Sequence, residues 1–264
     1  MKIALMDSGI GLLAAAATMR RLRPDADLVL SSDPDGMPWG PRTPADLTER
    51  AVAVALAAAA HRPDALIVAC NTASVHSLPA LRAELEPAIP VIGTVPAIKP
   101  AAAAGGRVAI WATPATTGSP YQRGLIRDFA AGVRVTEVPC PGLADAVQYA
   151  DEEAVAQAVA AAAALTPPDV TDVVLGCTHY ELVEEPIRAA LAERTGGAEL
   201  VFHGSAEPVA IQALRRCGAR PEPGLPRTGS LTVLLSGREE SLSAAALGYA
   251  EGRLLAGENA AVGR

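Results

Sequence analysis

Asp172–Tyr180 reads Asp-Val-Val-Leu-Gly-Cys-Thr-His-Tyr, an apolar run that stops at Gly176 and gives way at once to a thiol, a hydroxyl and an imidazole. Val173–Leu175 is short, β-branched and bounded by glycine, which fits a strand buried in a parallel sheet better than a helical segment. Cys177, Thr178 and His179 then fall on the following turn, and in open α/β sheets ligands bind at this carboxyl end of the strands. Asp64–Ser74 repeats the theme as Asp-Ala-Leu-Ile-Val-Ala-Cys-Asn-Thr-Ala-Ser, so Cys70 also leaves an apolar strand among amide and hydroxyl side chains.

Outward from these two stretches the chain alternates strand and helix. Lys2–Met6 reads as a strand delivering Asp7-Ser8-Gly9-Ile10-Gly11 to a glycine-bearing turn, and Leu12–Leu22 as a helix stopped by Pro24. A strand at Leu28–Ser31 leads into the loop Ser32–Arg42, rich in Pro and Gly, and loops of this length inside a compact unit are often functional. Thr43-Pro44-Ala45-Asp46 opens a helix with a capping hydroxyl, proline in the first turn and an acid near the positive end of the dipole. A helix from about Ala73 to Leu85 interrupted by Pro79, a strand at Ile89–Ile92 and a crossing segment at Gly93–Pro100 complete the first half. Strands at Arg107–Trp111 and Val133–Val138, a helix at Ala154–Ala164, the Cys177 strand and a helix at Leu182–Ala192 follow. Such alternation predicts an α/β protein of parallel sheets with helices on their faces.

The interval from Asp7 to Thr113 is 106 residues and that from Cys70 to Cys177 is 107, which suggests an internal repeat. Each half then has a first strand ending in a polar turn and a later strand ending in cysteine. Two such units facing each other would bring one thiol to each side of a shared cleft.

Composition narrows the class. The 264 residues hold ample core for one large or two modest domains, and half of them are apolar although aromatics are only 3%. Alanine runs such as Ala57–Ala60 and Ala161–Ala164 account for the excess. No charge-free apolar stretch approaches the roughly 20 residues of a membrane span. Strand-like sequence begins at Lys2, which leaves no room for a signal peptide, so the expected location is the cytoplasm. A net charge of −7 without a basic cluster argues against nucleic acid or an acidic membrane as partner. Four cysteines without a CxxC pair suggest neither a disulfide scaffold nor a paired-cysteine zinc site.

The chemistry follows from the thiols. A thiolate needs its usual pKa of about 8.5 lowered, and helix N-termini or polar neighbours supply that. Two weak bases on opposite faces of one carbon suit inversion of a stereocentre, because one removes a proton while the other supplies one. No organic cofactor is then needed, and the chain has no P-loop, no full GxGxxG and only Lys2 and Lys99 as lysines. Ser8, Asn71, Thr72, Thr113, Thr116, Thr117 and Thr178 all lie at strand-to-helix turns, where N–H groups and hydroxyls can hold carboxylates. For any one of them alone ordinary N-capping is the simpler explanation. Asp7 itself serves equally well as a helix cap or as an acid acting on a ligand.

These motifs together resemble the glutamate racemases of the cofactor-independent aspartate/glutamate racemase family. The resemblance rests on Asp7-Ser8-Gly9, Asp33 with Pro38-Trp39-Gly40, Ala69–Ser74, Ile92–Pro96, Thr113–Thr116, Ser119 and Tyr121, and Gly176–Tyr180, which span nearly the whole chain. His179-Tyr180 after the second Cys-Thr is similar to the glutamate branch, since an acid usually follows there in the aspartate branch. The chain departs from the family pattern at Leu12 for a glycine, Trp39 for tyrosine, Gln148 near an expected acid, Glu181 for proline and His203-Gly204 for aspartate.

The resemblance implies two pseudo-symmetric α/β domains, 1–97 with 207–264 and 98–206, with the active site in the cleft between them. It implies that Cys70 takes the α-proton of D-glutamate and Cys177 that of L-glutamate, with Asp7 and His179 as their assistants. It places Ser8, Trp39, Gly40, Asn71, Thr72, Thr116 and Thr178 on the substrate, with no cofactor and no metal. The small-molecule partner is then glutamate, the product D-glutamate for peptidoglycan precursors, and the assembly a homodimer. Two other readings compete: a racemase, isomerase or lyase for another acidic substrate such as aspartate, which Trp39 favours, and a non-catalytic amino-acid-binding protein. A zinc site of Cys70, Cys177 and His179 would remove the thiols as proton carriers. Cys140 and Cys217 match no family site and read as structural, and His61 and His76 as surface or helix residues.

Overall fold

The computed structural model describes residues 1–103 and 105–257. In chain order the first elements are β1 (Lys2–Asp7), α1 (Leu13–Leu22), β2 (Asp27–Ser32), α2 (Pro44–Ala59), β3 (Ala65–Val68), α3 (Asn71–His76), α4 (Leu78–Leu85) and β4 (Val91–Gly93). They are followed by α5 (Ile98–Ala103), β5 (Arg107–Ala112), α6 (Pro120–Phe129), β6 (Arg134–Pro139), α7 (Leu143–Gln148), α8 (Glu152–Leu165), β7 (Asp172–Leu175), α9 (Glu184–Arg194) and β8 (Val201–His203). The chain then adds α10 (Ala206–Arg216), β9 (Leu231–Leu235), β10 (Arg238–Glu240), α11 (Ala244–Gly248) and α12 (Ala250–Ala256).

Two compact units result, one of Met1–Thr94 together with the chain from Ala206 onward, the other of Val95–Ser205. The first holds a sheet in the order β10-β9-β2-β1-β3-β4 and the second a sheet in the order β6-β5-β7-β8. The quartets β2-β1-β3-β4 and β6-β5-β7-β8 have the same winding and are parallel throughout, so the repeat suggested by the cysteine spacing is a repeat of topology. β3 and β7 are buried at every position, which is why Ala65–Val68 and Val173–Leu175 read as unbroken apolar runs.

The first sheet is extended by a hairpin that the sequence reading did not contain. β9 lies parallel to β2 and turns back antiparallel as β10 through Ser236 and Gly237, both at positive φ, the conformation that two-residue hairpin turns need. Near the first cysteine the helix expected from about Ala73 to Leu85 with an interruption at Pro79 is instead α3 and α4 with Ser77 as the joint. Pro79 lies in the first turn of α4, where its missing N–H breaks no helical bond. The helix expected from Leu182 starts at Glu184, because Thr178–Val183 first forms a 3-10 turn. The segment Gly93–Pro100, read as a crossing, contains the last residue of β4 and the start of α5. Among the described residues no helix is long and apolar enough to cross a membrane.

Gly176 shows how tightly the second cysteine turn sits on its neighbouring strand. Its N–H donates to the Trp111 carbonyl at 2.7 Å, and a Cβ on Gly176 would lie 2.7 Å from that same backbone oxygen. Backbone cannot swing aside as a flexible side chain can. Gly176→Ala is therefore expected to cost roughly 1–3 kcal/mol, the range for overpacking a filled interior, seen as a lower midpoint in urea unfolding. An unchanged midpoint would mean that β5 and β7 yield at this point.

Candidate active site

In the first unit β1 and β3 are paired with Met6 opposite Val68, and Ala69 N–H donates to the Met6 carbonyl at 2.8 Å. Asp7 and Cys70 thus leave the sheet from adjacent strands at its carboxyl edge, where α/β sheets hold their ligands. Asp7 is fully buried, with Oδ1 accepting from the Ser8 hydroxyl at 3.5 Å and Oδ2 buried without a hydrogen-bond partner. Leaving such an oxygen unsatisfied costs about 1–3 kcal/mol, a penalty that native interiors rarely keep without a functional reason.

The turn carrying Cys70 is pinned from below. The Val68 carbonyl accepts from Thr94 Oγ1 at 2.7 Å and from Ser74 Oγ at 3.2 Å, while Thr94 N–H donates to Ser74 Oγ at 2.9 Å. Cys70 is 6% exposed in extended backbone at the head of α3, and its carbonyl accepts from Ser74 N–H at 2.9 Å. Ser8 and Asn71 are buried beside these strand ends, and Thr72 is half-buried. Ser74 and Thr94 brace the turn, a role invisible in their own segments because the shared acceptor is a backbone carbonyl up to 26 residues away.

The loop after β2 is organised by Asp33. Its Oδ1 accepts from Gly36 N–H at 3.1 Å and Ser236 Oγ at 3.2 Å, and its Oδ2 from Trp39 Nε1 at 3.1 Å and Arg50 Nη1 at 3.3 Å. Arg42 and Arg50 both bond Asp46, and Arg42 Nε donates to the Gly36 carbonyl at 2.7 Å, which closes the network. The consequence corrects the expectation for Trp39. Its indole is 1% exposed, packed among Met6, Leu47 and Cys70, with its one polar atom already bonded, so the ring is not available to a ligand. Gly40, next to it, is exposed. Asp33 is the residue that sets the shape of this loop.

In the second unit β5 and β7 are paired with Trp111 opposite Leu175, so the turn at Thr113 and the turn at Cys177 again leave from adjacent strands. Thr113 Oγ1 donates to Thr116 Oγ1 at 3.2 Å, and the N–H groups of Thr116 and Thr117 both donate to the Thr113 carbonyl at 2.9 Å. Thr116 is half-buried and Thr178 is buried. Cys177 is partly exposed, with Sγ 3.9 Å from His179 Nδ1. His179 is buried, and its Nε2 lies 3.1 Å from Gln148 Oε1 on α7. Thiol, imidazole and carboxamide are therefore linked by successive contacts, the sulfur partly exposed and His179 and Gln148 buried.

The other two thiols are differently placed. Cys140 is 1% exposed, its Sγ donates to the Val138 carbonyl at 3.4 Å, and burial pushes the thiol up to about 12, so it stays protonated at neutral pH. Cys217 follows α10 with Sγ 3.6 Å from the Asp64 carbonyl, and burial raises it too. His203, which stands where an aspartate was expected, bonds Asp172 through Nε2 at 2.7 Å. His61 is half-buried and His76 is exposed. Among the described residues no three His, Cys, Asp or Glu side chains gather as a metal site.

Residues 11–201 match the family model described as Asp/Glu/Hydantoin racemase. The glutamate racemase of Roseiflexus sp. (strain RS-1) is 38% identical over 200 residues, 73% of this chain and 72% of its own. The glutamate racemase of Vibrio campbellii is 38% identical over 217 residues, 81% of this chain and 79% of its own. The crystal structure of Escherichia coli glutamate racemase in complex with L-glutamate and the activator UDP-MurNAc-ala is similar with a TM-score of 0.74 at 30% identity, covering 84% of each chain. With most of its length matched in sequence and in fold, the chain belongs to the Asp/Glu/Hydantoin racemase family.

Proposed function

We propose that this chain is a glutamate racemase that inverts the α-carbon without a cofactor, with Cys70 and Cys177 as its two proton carriers. The observation that carries the reading is the repetition itself: two sheets of one winding each place a cysteine on the turn after the third strand of the repeat, and each turn has its own acid–base neighbour. Asp7, with its unsatisfied oxygen, leaves the strand next to that of Cys70, and His179 sits against Cys177.

In the D-to-L direction the Cys70 thiolate takes the α-proton, so a C–H bond breaks and an S–H bond forms. The electron pair left on carbon delocalises into the α-carboxylate and the carbon becomes planar. Cys177 then gives its own proton to the opposite face, leaving a thiolate, and the L-to-D direction runs the same steps backwards. The mechanism requires both thiols to reach one α-carbon from opposite faces. Ser8, Asn71, Thr72, Thr116, Thr178 and the backbone at Gly40 are the groups we assign to the substrate's charged ends. Trp39 supports that loop from within rather than touching the ligand.

Glutamate is the substrate in the names of all three relatives described above. The rival reading, a different acidic substrate, drew its support from the bulk of Trp39, and the buried indole withdraws that support. Within our reading the enzyme works in the cytoplasm as a homodimer and supplies D-glutamate for peptidoglycan precursors. The acidic balance of the chain speaks against nucleic acid as a partner.

The test is to incubate the purified protein in D₂O with L- and D-glutamate, L- and D-aspartate and a few analogues, following α-proton loss by NMR and optical rotation together. Exchange with inversion for glutamate supports the proposal. Inversion of aspartate alone keeps the chemistry and overturns the substrate. Binding without exchange overturns the enzyme reading altogether.

A further inference from the structure

We infer that Ser236, in the turn of the β9–β10 hairpin, is a positioning residue that sets the loop carrying Trp39 and Gly40 through the carboxylate of Asp33. The inference starts from an asymmetry between the two repeats. β2 and β6 hold equivalent places in their quartets, but β6 is the edge of its sheet whereas β2 has β9 beside it. The added hairpin brings little core with it, since all three residues of β10 are exposed. Its turn, however, is seated on the loop after β2. The Ser236 N–H donates to the Ser32 carbonyl at 2.7 Å, and the Ser236 hydroxyl donates to Asp33 Oδ1 at 3.2 Å and accepts from the Asp35 N–H at 3.2 Å.

The residue type in that turn points to the hydroxyl. Ser236 has φ 47°, a left-handed conformation that glycine or asparagine adopts at lower cost, and Gly237 after it has φ 78°. Serine is strained at such a place, and backbone outliers of this kind cluster at functional sites. What serine adds over glycine here is the hydroxyl and its bond to Asp33. Asp33 is buried, and the Oδ2 atom of the same carboxylate accepts from Trp39 Nε1 at 3.1 Å and from Arg50 Nη1 at 3.3 Å. One carboxylate thus runs from the hairpin turn to the indole next to Gly40, whose backbone we assign to the substrate. Arg238 on β10 also reaches the loop and pairs with Asp35 at 2.9 Å, but both of those side chains are mostly exposed, and exposed pairs are worth little. The hydroxyl of Ser236 is therefore the hold that the hairpin has on the buried side of the loop.

The kinetic part of this inference rests on the proposed racemase reading, whereas the link from Ser236 to Trp39 does not, and the experiment separates the two. Ser236→Ala and Ser236→Gly both remove the hydroxyl, but only glycine relieves the backbone. In both variants KM for L- and D-glutamate should rise together by roughly threefold to tenfold with kcat little changed, about one hydrogen bond's worth of uniform binding. Melting temperature should follow φ instead, with Ser236→Gly above Ser236→Ala. A merely structural turn would move KM and melting temperature together. The link itself is read without substrate, from hydrogen exchange of the Trp39 indole N–H in ¹⁵N-labelled protein. Trp111, the only other tryptophan, is the internal reference, with its N–H bonded to Thr166 Oγ1 in the second unit, and Trp39→Phe assigns the two resonances. Exchange at Trp39 should quicken several-fold relative to Trp111 in both Ser236 variants, because a loop held by fewer bonds opens more often. Arg238→Ala should leave both KM and the exchange ratio native. An unchanged KM or an unchanged exchange ratio in Ser236→Ala and Ser236→Gly overturns the inference, as does an equal rise of KM in Arg238→Ala. If the exchange ratio responds as expected but the native protein does not turn over glutamate, the racemase reading fails and the link from hairpin to loop survives.

Discussion

Cys70→Ser and Cys177→Ser are each expected to abolish inversion of glutamate in either direction while leaving the fold intact. The alcohol of serine is far harder to deprotonate than a thiol at neutral pH, and inversion needs a base on one face and an acid on the other in the same turnover. Removing one such group is expected to cost about 10²–10⁴-fold in rate, the usual worth of general acid–base catalysis. The variants should nevertheless differ from each other. Cys70→Ser keeps the thiol assigned to L-glutamate and should still exchange the α-proton of that enantiomer in D₂O, and Cys177→Ser should exchange that of D-glutamate. Exchange without change of optical rotation is the diagnostic pair of readings. Cys140→Ser serves as the control, because a thiol pushed up to about 12 by burial carries no proton traffic near neutral pH, and its rate should be native. Near-normal inversion in either Cys70→Ser or Cys177→Ser would mean that one base, or another site, does the chemistry.

What the sequence revealed of this molecule follows from which forces are local. The strands of the two quartets other than β8 were legible, most plainly β3 and the Val173–Leu175 part of β7, because a strand covered on both faces reads as an apolar run. The turns carrying Cys70 and Cys177 were legible for the same reason, since a polar cluster directly after such a run marks the carboxyl edge of the sheet. β10 was not legible: all three of its residues are exposed, so it has no buried face to impose a period, and only Ser236-Gly237 signals the turn before it. The break between α3 and α4 was placed at Pro79 by sequence and lies at Ser77, because proline fits the first turn of the helix it begins.

Side-chain direction was the least legible quantity. Whether Trp39 faces a ligand or the core is decided by Asp33, six residues earlier, and by Arg50, eleven residues later, neither of which changes the character of the loop itself. Gln148 could be noticed only as a departure from a family pattern. Its partner His179 lies 31 residues along the chain, and no periodicity links the C-terminus of α7 to the turn after β7. The same limit applies to Ser74 and Thr94, which meet only at the carbonyl of Val68.

Asp7→Asn and His179→Asn are expected to lower turnover by about 10²-fold, the lower end for a general acid–base partner, and to leave opposite kinetic signatures. Both enantiomers of a free amino acid have the same free energy, so kcat/KM must fall equally in the two directions in each variant, whichever thiol has lost its assistant. The asymmetry appears instead in which proton transfer limits the rate. Asp7 is assigned to the Cys70 step, so in Asp7→Asn that step becomes the higher barrier. With α-deuterated D-glutamate the label is removed in that slowed step, and the isotope effect on kcat/KM should rise. With α-deuterated L-glutamate the label leaves in the Cys177 step, which no longer limits, and the isotope effect should shrink. His179→Asn should reverse the pattern, since its Nδ1 faces Cys177. The Asp7 exchange is nearly isosteric at a fully buried position, so a native melting curve is the condition for reading the kinetics. Isotope effects that change in the same sense for both enantiomers would show that Asp7 and His179 act on a shared intermediate, and the assignment of one assistant to each thiol would then be wrong.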